Sequence, residues 1–270
     1  MSLDGKLTTA LRSDKGRVRD ANEDSVAEAS ELGLVVLADG MGGHNAGEVA
    51  SAMAVSTILD SVRAGWPYRG ELDTTGPHGP EAELLRKSVE VAHTAIREKA
   101  DSQPQYQGMG TTVVACLLHD DSAIIAHVGD SRLYRLRNDS FKQVTQDHSL
   151  IEDLIAKGFY SREEARQNVR RNILTRALGS GESVTVDILT EAAQAGDVYL
   201  LCSDGLTEMV SDEEIRLTLQ KFSASLDSTA EQLIALANEH GGKDNVSVAL
   251  IRVEQAFAGK TLYQTLKEWI

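Results

Sequence analysis

Four aspartates in this chain stand at the ends of apolar runs. Asp39 closes LVVLA and precedes Gly40, Asp204 follows VYLLCS and precedes Gly205, Asp130 follows AIIAHVG, and Asp244 stands just before NVSVALIRV. A residue that leaves one strand and a residue that enters its antiparallel neighbour lie at the same edge of a sheet. Four carboxylates can therefore converge on one rim. Gathered without a cation they repel one another, and some would have to take up protons. A divalent cation removes that difficulty. With oxygen donors alone the fitting ions are hard ones, Mg²⁺ or Mn²⁺. Zinc spacing is absent: the seven histidines form no HExxH, and Cys116 and Cys202 lie far apart. Taken singly, an Asp-Gly pair is more often a turn than a ligand, and Asp4-Gly5 reads as a turn. The repeated placement at strand ends favours the site.

A second charged segment, Arg17-Val18-Arg19-Asp20-Ala21-Asn22-Glu23-Asp24, lies near the N-terminal acid. A guanidinium beside paired acids can fork two phosphate oxygens against a metal site. A mixed-charge solvated turn fits the same pattern, and charge alone favours it.

The elements that must position these groups alternate in clusters. Short strands are expected at Leu7–Ser13, Val26–Ala29 and Leu34–Ala38. A helix follows over Gly47–Val62, with Ala52, Val55, Leu59 and Val62 on one stripe. Gly65 to Pro80 reads as a loop, and Pro80 opens a second helix carrying Leu85, Val89, Ala92 and Ile96. Strands resume at Thr111–Leu118, Ser122–Val128, Arg132–Leu136 and Lys142–Thr145. Helical pattern returns from Ser149 to about Arg170, with a capping box at Ser161/Glu164. Strands at Ser183–Thr190 and Val198–Cys202 precede two helices opened by boxes at Ser211/Glu214 and Ser228/Glu231, and Asn245–Val253 is the last strand. Strand clusters alternating with helix pairs predict an α+β fold with sheets inside and helices outside, in one domain. The stretch from about Gln146 to Thr185 is expected to project as a helical subdomain.

Composition narrows the function. The 270 residues include 41 Asp and Glu against 27 Lys and Arg, a net charge of −14. Such a field repels phosphate polymers, which argues against nucleic-acid binding and anionic membranes. Hydrophobic residues at 41% and charged residues at 25% are those of a globular chain. The N-terminus has no apolar leader and no run reaches the length of a membrane span, so a soluble cytoplasmic protein is expected. Each cysteine sits in an apolar run and reads as a buried reduced thiol.

The segments RDANED (Arg19–Asp24), VVLADGMGGHNAGEVAS (Val35–Ser51), GMGTT (Gly108–Thr112), HVGDSRLY (His127–Tyr134), TQDHS (Thr145–Ser149), LLCSDGLTEMV (Leu200–Val210) and KDNVSVALI (Lys243–Ile251) resemble the successive motifs of the metal-dependent protein serine/threonine phosphatases, the PPM or type 2C family. The resemblance spans about residues 7 to 253 in the family's order. It implies a central antiparallel β-sandwich flanked by helix pairs, an αββα four-layer arrangement, over residues 1–254. It makes Gln146–Thr185 a flap beside the site and leaves 255–270 as a C-terminal extension, where Leu262, Leu266 and Trp269 form a helical stripe.

The resemblance also implies site residues. Asp39 matches the acid that bridges two metals, and the carbonyl of Gly40 a ligand of the second. Asp204 and Asp244 match the other ligands of the first. Glu23 matches an acidic ligand on the second metal's side, with Asp24 in its outer shell. Arg19 matches the phosphate-gripping arginine. Asp130 matches an acid that, with Asp204, holds a third metal in bacterial members. In the animal branch a histidine directly follows Asp-Gly; here Met41-Gly42-Gly43 intervene before His44, as in the bacterial branch.

The implied reaction is hydrolysis of phosphoserine and phosphothreonine in proteins by a metal-bridged hydroxide attacking phosphorus directly. His44 is the candidate proton donor to the leaving oxygen. The cofactors are two Mn²⁺ or Mg²⁺ ions, with a third in reach, and the partners are phosphoproteins and a serine/threonine kinase that the enzyme opposes, acting as a monomer. A catalytically weak phosphoprotein-binding scaffold is the alternative, and a hydrolase of small phosphoesters a third reading.

Overall fold

The computed structural model describes residues 3, 5–42, 46–66, 79–161, 164–165 and 173–257. Two antiparallel sheets face each other. One has strand order β1 (Leu7–Asp14), β11 (Val246–Val253), β10 (Val198–Cys202), β7 (Arg132–Arg137), β8 (Ser140–Gln143). The other runs β2 (Asp24–Ala29), β3 (Leu34–Met41), β5 (Val113–His119), β6 (Ser122–Val128), β9 (Asp187–Ala192), with the short β4 (Gly110–Thr111) on the far end of β3.

The apolar runs are continuous because both faces of each central strand are covered. Along β3, Leu34, Val36 and Ala38 turn outward to helices α1 (Ala46–Gly65) and α2 (Pro80–Ser102), while Val35 and Leu37 turn inward between the sheets. On the other side Leu200, Cys202, Val248 and Leu250 face α5 (Asp212–Lys221) and α6 (Leu226–Glu239), and Leu201, Ala249 and Ile251 meet the opposing sheet. Three apolar layers between four structural layers thus account for the α+β sandwich read from the sequence. Both cysteines are free and buried. Burial raises both thiols, Cys202 to about 12.

The helix ends follow their sequence signals, with exceptions. Pro80 opens α2, and Ser211 and Glu214 form the expected capping box of α5. The cap of α6 is Ser225, which accepts from the Ser228 amide, so the helix begins one turn earlier than the Ser228/Glu231 pattern predicts. In α1 the buried stripe runs through Ala50, Ala54, Val55, Ile58, Leu59 and Val62, and Ala52 is exposed. The helical stretch expected from Ser149 to about Arg170 is interrupted: α3 covers Leu150–Ala156, Gly158 follows at φ +74°, Glu164 and Ala165 are helical again, and 162–163 and 166–170 lie outside the described residues. That left-handed conformation terminates a helix at low cost only for glycine. The Ser161/Glu164 reciprocal pair is present beyond it. Strands predicted at Lys142–Thr145 and Ser183–Thr190 form instead as β8 and β9, displaced by two to four residues along the chain. A short α4 (Asp204–Thr207) follows β10. Among the described residues no helix is long and apolar enough to cross a membrane. The C-terminal stripe Leu262, Leu266 and Trp269 lies outside the described residues.

Candidate active site

Strand ends bring the acids to one rim. Asp24 opens β2 and is the cross-strand partner of Asp39 near the end of β3. Asp130 follows β6, Asp204 opens α4 after β10, and Asp244 precedes β11 by two residues. The two sheets are stitched here: the Ser203 hydroxyl donates to Asp24 Oδ2 at 2.8 Å, and Ser247 N donates to the Ser203 oxygen at 2.9 Å. Asp39 is held through its backbone. Its N–H donates to Thr112 Oγ1 at 3.0 Å, and its carbonyl accepts from Thr112 N at 2.9 Å and Thr111 Oγ1 at 2.7 Å. The carboxylate is left for other work.

The electrostatics at this rim are unfavourable for a protein standing alone. Burial first, then the charges of Asp24, Asp204, Asp130 and Asp244, push the Asp39 carboxyl well above the usual range. Asp204 is raised well above it by burial and by Asp130, Glu208, Asp244 and Asp24. Burial also raises Asp24, against the hydroxyls of Ser247 and Ser203. Asp130 is pushed up to about 6 by burial and by Asp147. Asp24 is only 8% exposed, and its Oδ1 has no hydrogen-bond partner. A buried acceptor without a donor is costly.

Arg19 brings a positive charge to the group. Its Nη2 lies 2.6 Å from Asp244 Oδ2, and its side chain stays 51% exposed. Glu23 stands beside it, raised by burial and lowered by Arg19 and by the Gly47 amide in the first turn of α1. Asn245 fixes the Glu23 backbone, accepting from its N–H at 2.8 Å while donating to the carbonyls of Lys15 and Ala21. Gly40 allows the close approach: a Cβ there would fall 2.2 Å from the Gly47 carbonyl oxygen and 2.5 Å from that of Glu23. Asp39, Gly40, Asp24, Glu23, Asp204, Asp244, Asp130 and Arg19 thus share one end of the sandwich. His44 lies outside the described residues.

The donor types fit hard divalent cations: carboxylates on a common rim and an orphaned buried carboxylate oxygen. Among the described residues, as placed, no group of three or more acidic, histidine or cysteine side chains is arranged to hold a metal ion. Beside the rim lies a cleft of about 520 Å³ that shares Asp130 and Asp204 and extends to Asp147, Glu152 and Glu208. Residues that the sequence reading did not assign line and brace it. Arg132 grips Asp147 through two nitrogens, at 2.7 and 2.9 Å, and donates to Tyr134, whose hydroxyl reaches Asp212. Arg132 and Asp147 both sit inside quoted motifs, HVGDSRLY and TQDHS, but nothing in the spacing pairs them.

The model of the protein phosphatase 2C family matches residues 13–247. The chain belongs to that family. It is 41% identical over 245 residues to the serine/threonine phosphatase stp of Listeria innocua, covering 89% of this chain and 94% of that one. It is 39% identical over 255 residues to the serine/threonine protein phosphatase PstP of Mycobacterium tuberculosis, covering 94% of this chain and 46% of that longer protein. Among solved structures, that of Mycobacterium tuberculosis PstP/Ppp matches with a TM-score of 0.82, covering 92% of this chain and 99% of that one. The catalytic domain of PstP in complex with two manganese ions matches at 0.77, 39% identical, covering 91% of this chain and 97% of that one. The expected fold and family are therefore borne out, and the chain is a protein phosphatase by family.

Proposed function

We propose that this protein phosphatase hydrolyses phosphoserine and phosphothreonine in proteins at the carboxylate rim, as a cytoplasmic monomer that opposes a serine/threonine kinase. The observation that carries the reading is the set of acids on one rim with a buried Asp24 oxygen left unpartnered. Asp39, the Gly40 carbonyl, Asp204, Asp244 and Glu23 would hold two cations, Mn²⁺ or Mg²⁺, with Asp24 in the outer shell. Asp130 with Asp204 would hold a third, weaker one on which turnover depends. Bound there, such cations supply a water acidic enough to attack at neutral pH and neutralise charge on the phosphoryl group. The manganese complex of the PstP catalytic domain supports this cofactor.

The chain's own groups do the rest. Arg19, half exposed, would turn from Asp244 to fork two phosphoryl oxygens, which positions phosphorus and spreads its charge. Asp39, fixed by Thr111 and Thr112, orients the attacking oxygen. His44 would give the leaving serine or threonine oxygen its proton. A nitrophenolate leaves well unaided, so His44→Ala is expected to slow a phosphothreonine peptide far more than p-nitrophenyl phosphate. Equal losses would remove it from that role. We assign residues 1–254 to the phosphatase domain, 146–185 to its flap and 255–270 to an extension.

The deciding assay is hydrolysis of a phosphothreonine peptide by metal-stripped protein, with Mn²⁺ and with excess chelator. Activity only with metal is expected, and a sugar phosphate should be a poor substrate. Full activity in chelator would overturn the reading. Peptide binding without turnover at any metal concentration would replace it with the scaffold reading.

A further inference from the structure

At the base of the 146–185 segment a buried histidine grips the turn that carries Asp130. His148 is 6% exposed. Its backbone N–H donates to the Gly129 carbonyl at 2.7 Å, and the Gly129 N–H donates back to the ring at His148 Nδ1, at 3.0 Å. An amide N–H only donates, so Nδ1 must carry a lone pair. On a neutral ring the proton then sits on Nε2, which faces Asp187 Oδ2 at 3.1 Å. Arg176 Nη1 reaches the same carboxylate at Oδ1, 2.7 Å away, and also lies 3.2 Å from His148 Nε2, so that nitrogen faces a guanidinium as well as the carboxylate. Burial pushes His148 down and His127 to about 3, which favours uncharged rings for this tilted pair, whose centroids are 4.6 Å apart.

The turn is gripped on its other flank as well. Ser131 gives its carbonyl to His127 Nε2 at 2.9 Å, and its hydroxyl bonds Thr112 Oγ1 at 2.7 Å. Gly129 has φ +114°, and a Cβ there would lie 2.6 Å from the Thr112 side chain. Thr112 is also the residue that accepts from Asp39 N. Asp130 is therefore suspended between two fixed neighbours, one of which bonds the threonine that also holds the Asp39 backbone.

We propose that His148 is a positioning residue: the lone pair of its Nδ1 holds the Gly129 amide and so fixes the backbone that aims Asp130 at the rim. The effect on turnover rests on the reading of Asp130 given above; the hydrogen bond itself does not. Outer partners that orient ligands commonly matter by 10- to 100-fold.

The test begins with metal-free wild-type protein. Nitrogen-15 spectra of the His148 ring should show Nδ1 unprotonated and Nε2 protonated, and the Gly129 amide should exchange slowly. Two variants then separate the two ring nitrogens. In His148→Asn the side-chain oxygen lies near the Nδ1 position and keeps an acceptor for Gly129. In His148→Gln the amide reaches the Nε2 position and keeps the contact to Asp187. The Asn variant should retain Gly129 protection and a kcat within about threefold of wild type. The Gln variant should lose that protection and about tenfold or more in kcat, with KM nearly unchanged. A protonated Nδ1, or rescue by Gln and not by Asn, would overturn the proposal. So would loss of Gly129 protection with kcat intact. Wild-type protein inactive with Mn²⁺ would count against the phosphatase reading alone, because the spectra and exchange rates are read without metal. Should both variants fail to fold, the wild-type spectra still decide.

Discussion

Strand β10 has a buried aspartate just before it and a half-buried one two residues after it, and the protein treats the two in opposite ways. Asp197, 1% exposed, is fully compensated: Arg137 donates to both of its oxygens at 2.7 Å, and Gln194 N donates to Oδ2 at 2.8 Å. Its backbone also accepts from Val253 N, so this end of the sandwich is stapled by a paired charge. Asp204, seven residues further on after the intervening strand, meets Asp130, Glu208, Asp244 and Asp24, and its carboxyl is raised well above the usual range. One residue type at the two ends of one strand thus gives a structural ion pair and an unneutralised anion. Geometry common to both ends cannot explain the difference; the supply of donors does. An end that withholds compensating cations stores repulsion that an added divalent ion relieves.

The largest expected effect tests the uncompensated end. Asp39→Asn should lower phosphopeptide turnover on the order of 10³-fold or more, since an acid proposed to hold the cations is removed. The metal-free variant should melt no lower than metal-free wild type, because a buried anion among anions has been neutralised. Retained turnover, or a clearly lower melting temperature without metal, would break the contrast between the two ends.

The compensated end should behave in reverse. Asp197→Asn leaves the Arg137 guanidinium facing a neutral amide, and breaking a buried pair costs about 3 kcal/mol. Turnover per folded molecule, measured well below the transition, should match wild type. A variant as stable as wild type in denaturant titration would show that Asp197 is not the staple the distances imply.

How much of this was legible beforehand depended on range along the chain. Asp39, Asp130, Asp204 and Asp244 could be found because each terminates a run of apolar residues, a signal contained within about ten positions. Their convergence followed from antiparallel pairing alone. The pairings that brace them were invisible: Arg132 with Asp147, Ser203 with Asp24, and His148 with Gly129 link residues 15 to 179 apart in sequence. No local pattern encodes such partners. The ends of helices failed for a different reason. Ser225 and Ser228 both suit a cap, and packing of Leu226 into the core selects the earlier one. In the 146–185 segment the apolar spacing runs across Gly158, whose left-handed backbone ends α3, and helix returns at Glu164 and Ala165.

The smallest effect is the most specific, because its sign changes with pH and with metal. Asp130 has a folded-state pKa of about 6, raised by burial and by Asp147, against an ordinary value near 4. Between these two values the folded protein holds more protons at this site than the unfolded chain. Stability from this group therefore rises as pH falls through 6 toward 4 and is lost as pH climbs above 6. Asparagine at position 130 carries no charge at any pH. In chelator at pH 7, Asp130→Asn should accordingly be the more stable protein, by about 1–2 kcal/mol once partial exposure of the rim is allowed for. The gap should close on going to pH 4. The buried rings of His127 and His148 titrate in the opposite sense, but they are common to both proteins and drop out of the difference. Saturating Mn²⁺ at pH 7 should reverse the order, since only wild type offers the third site its carboxylate. Melting curves at pH 7, 6, 5 and 4, with chelator and with Mn²⁺, read all three statements. A gap independent of pH would mean that Asp130 is already neutralised by its own neighbours, Arg132 included, and would move it from the uncompensated class to the class of Asp197.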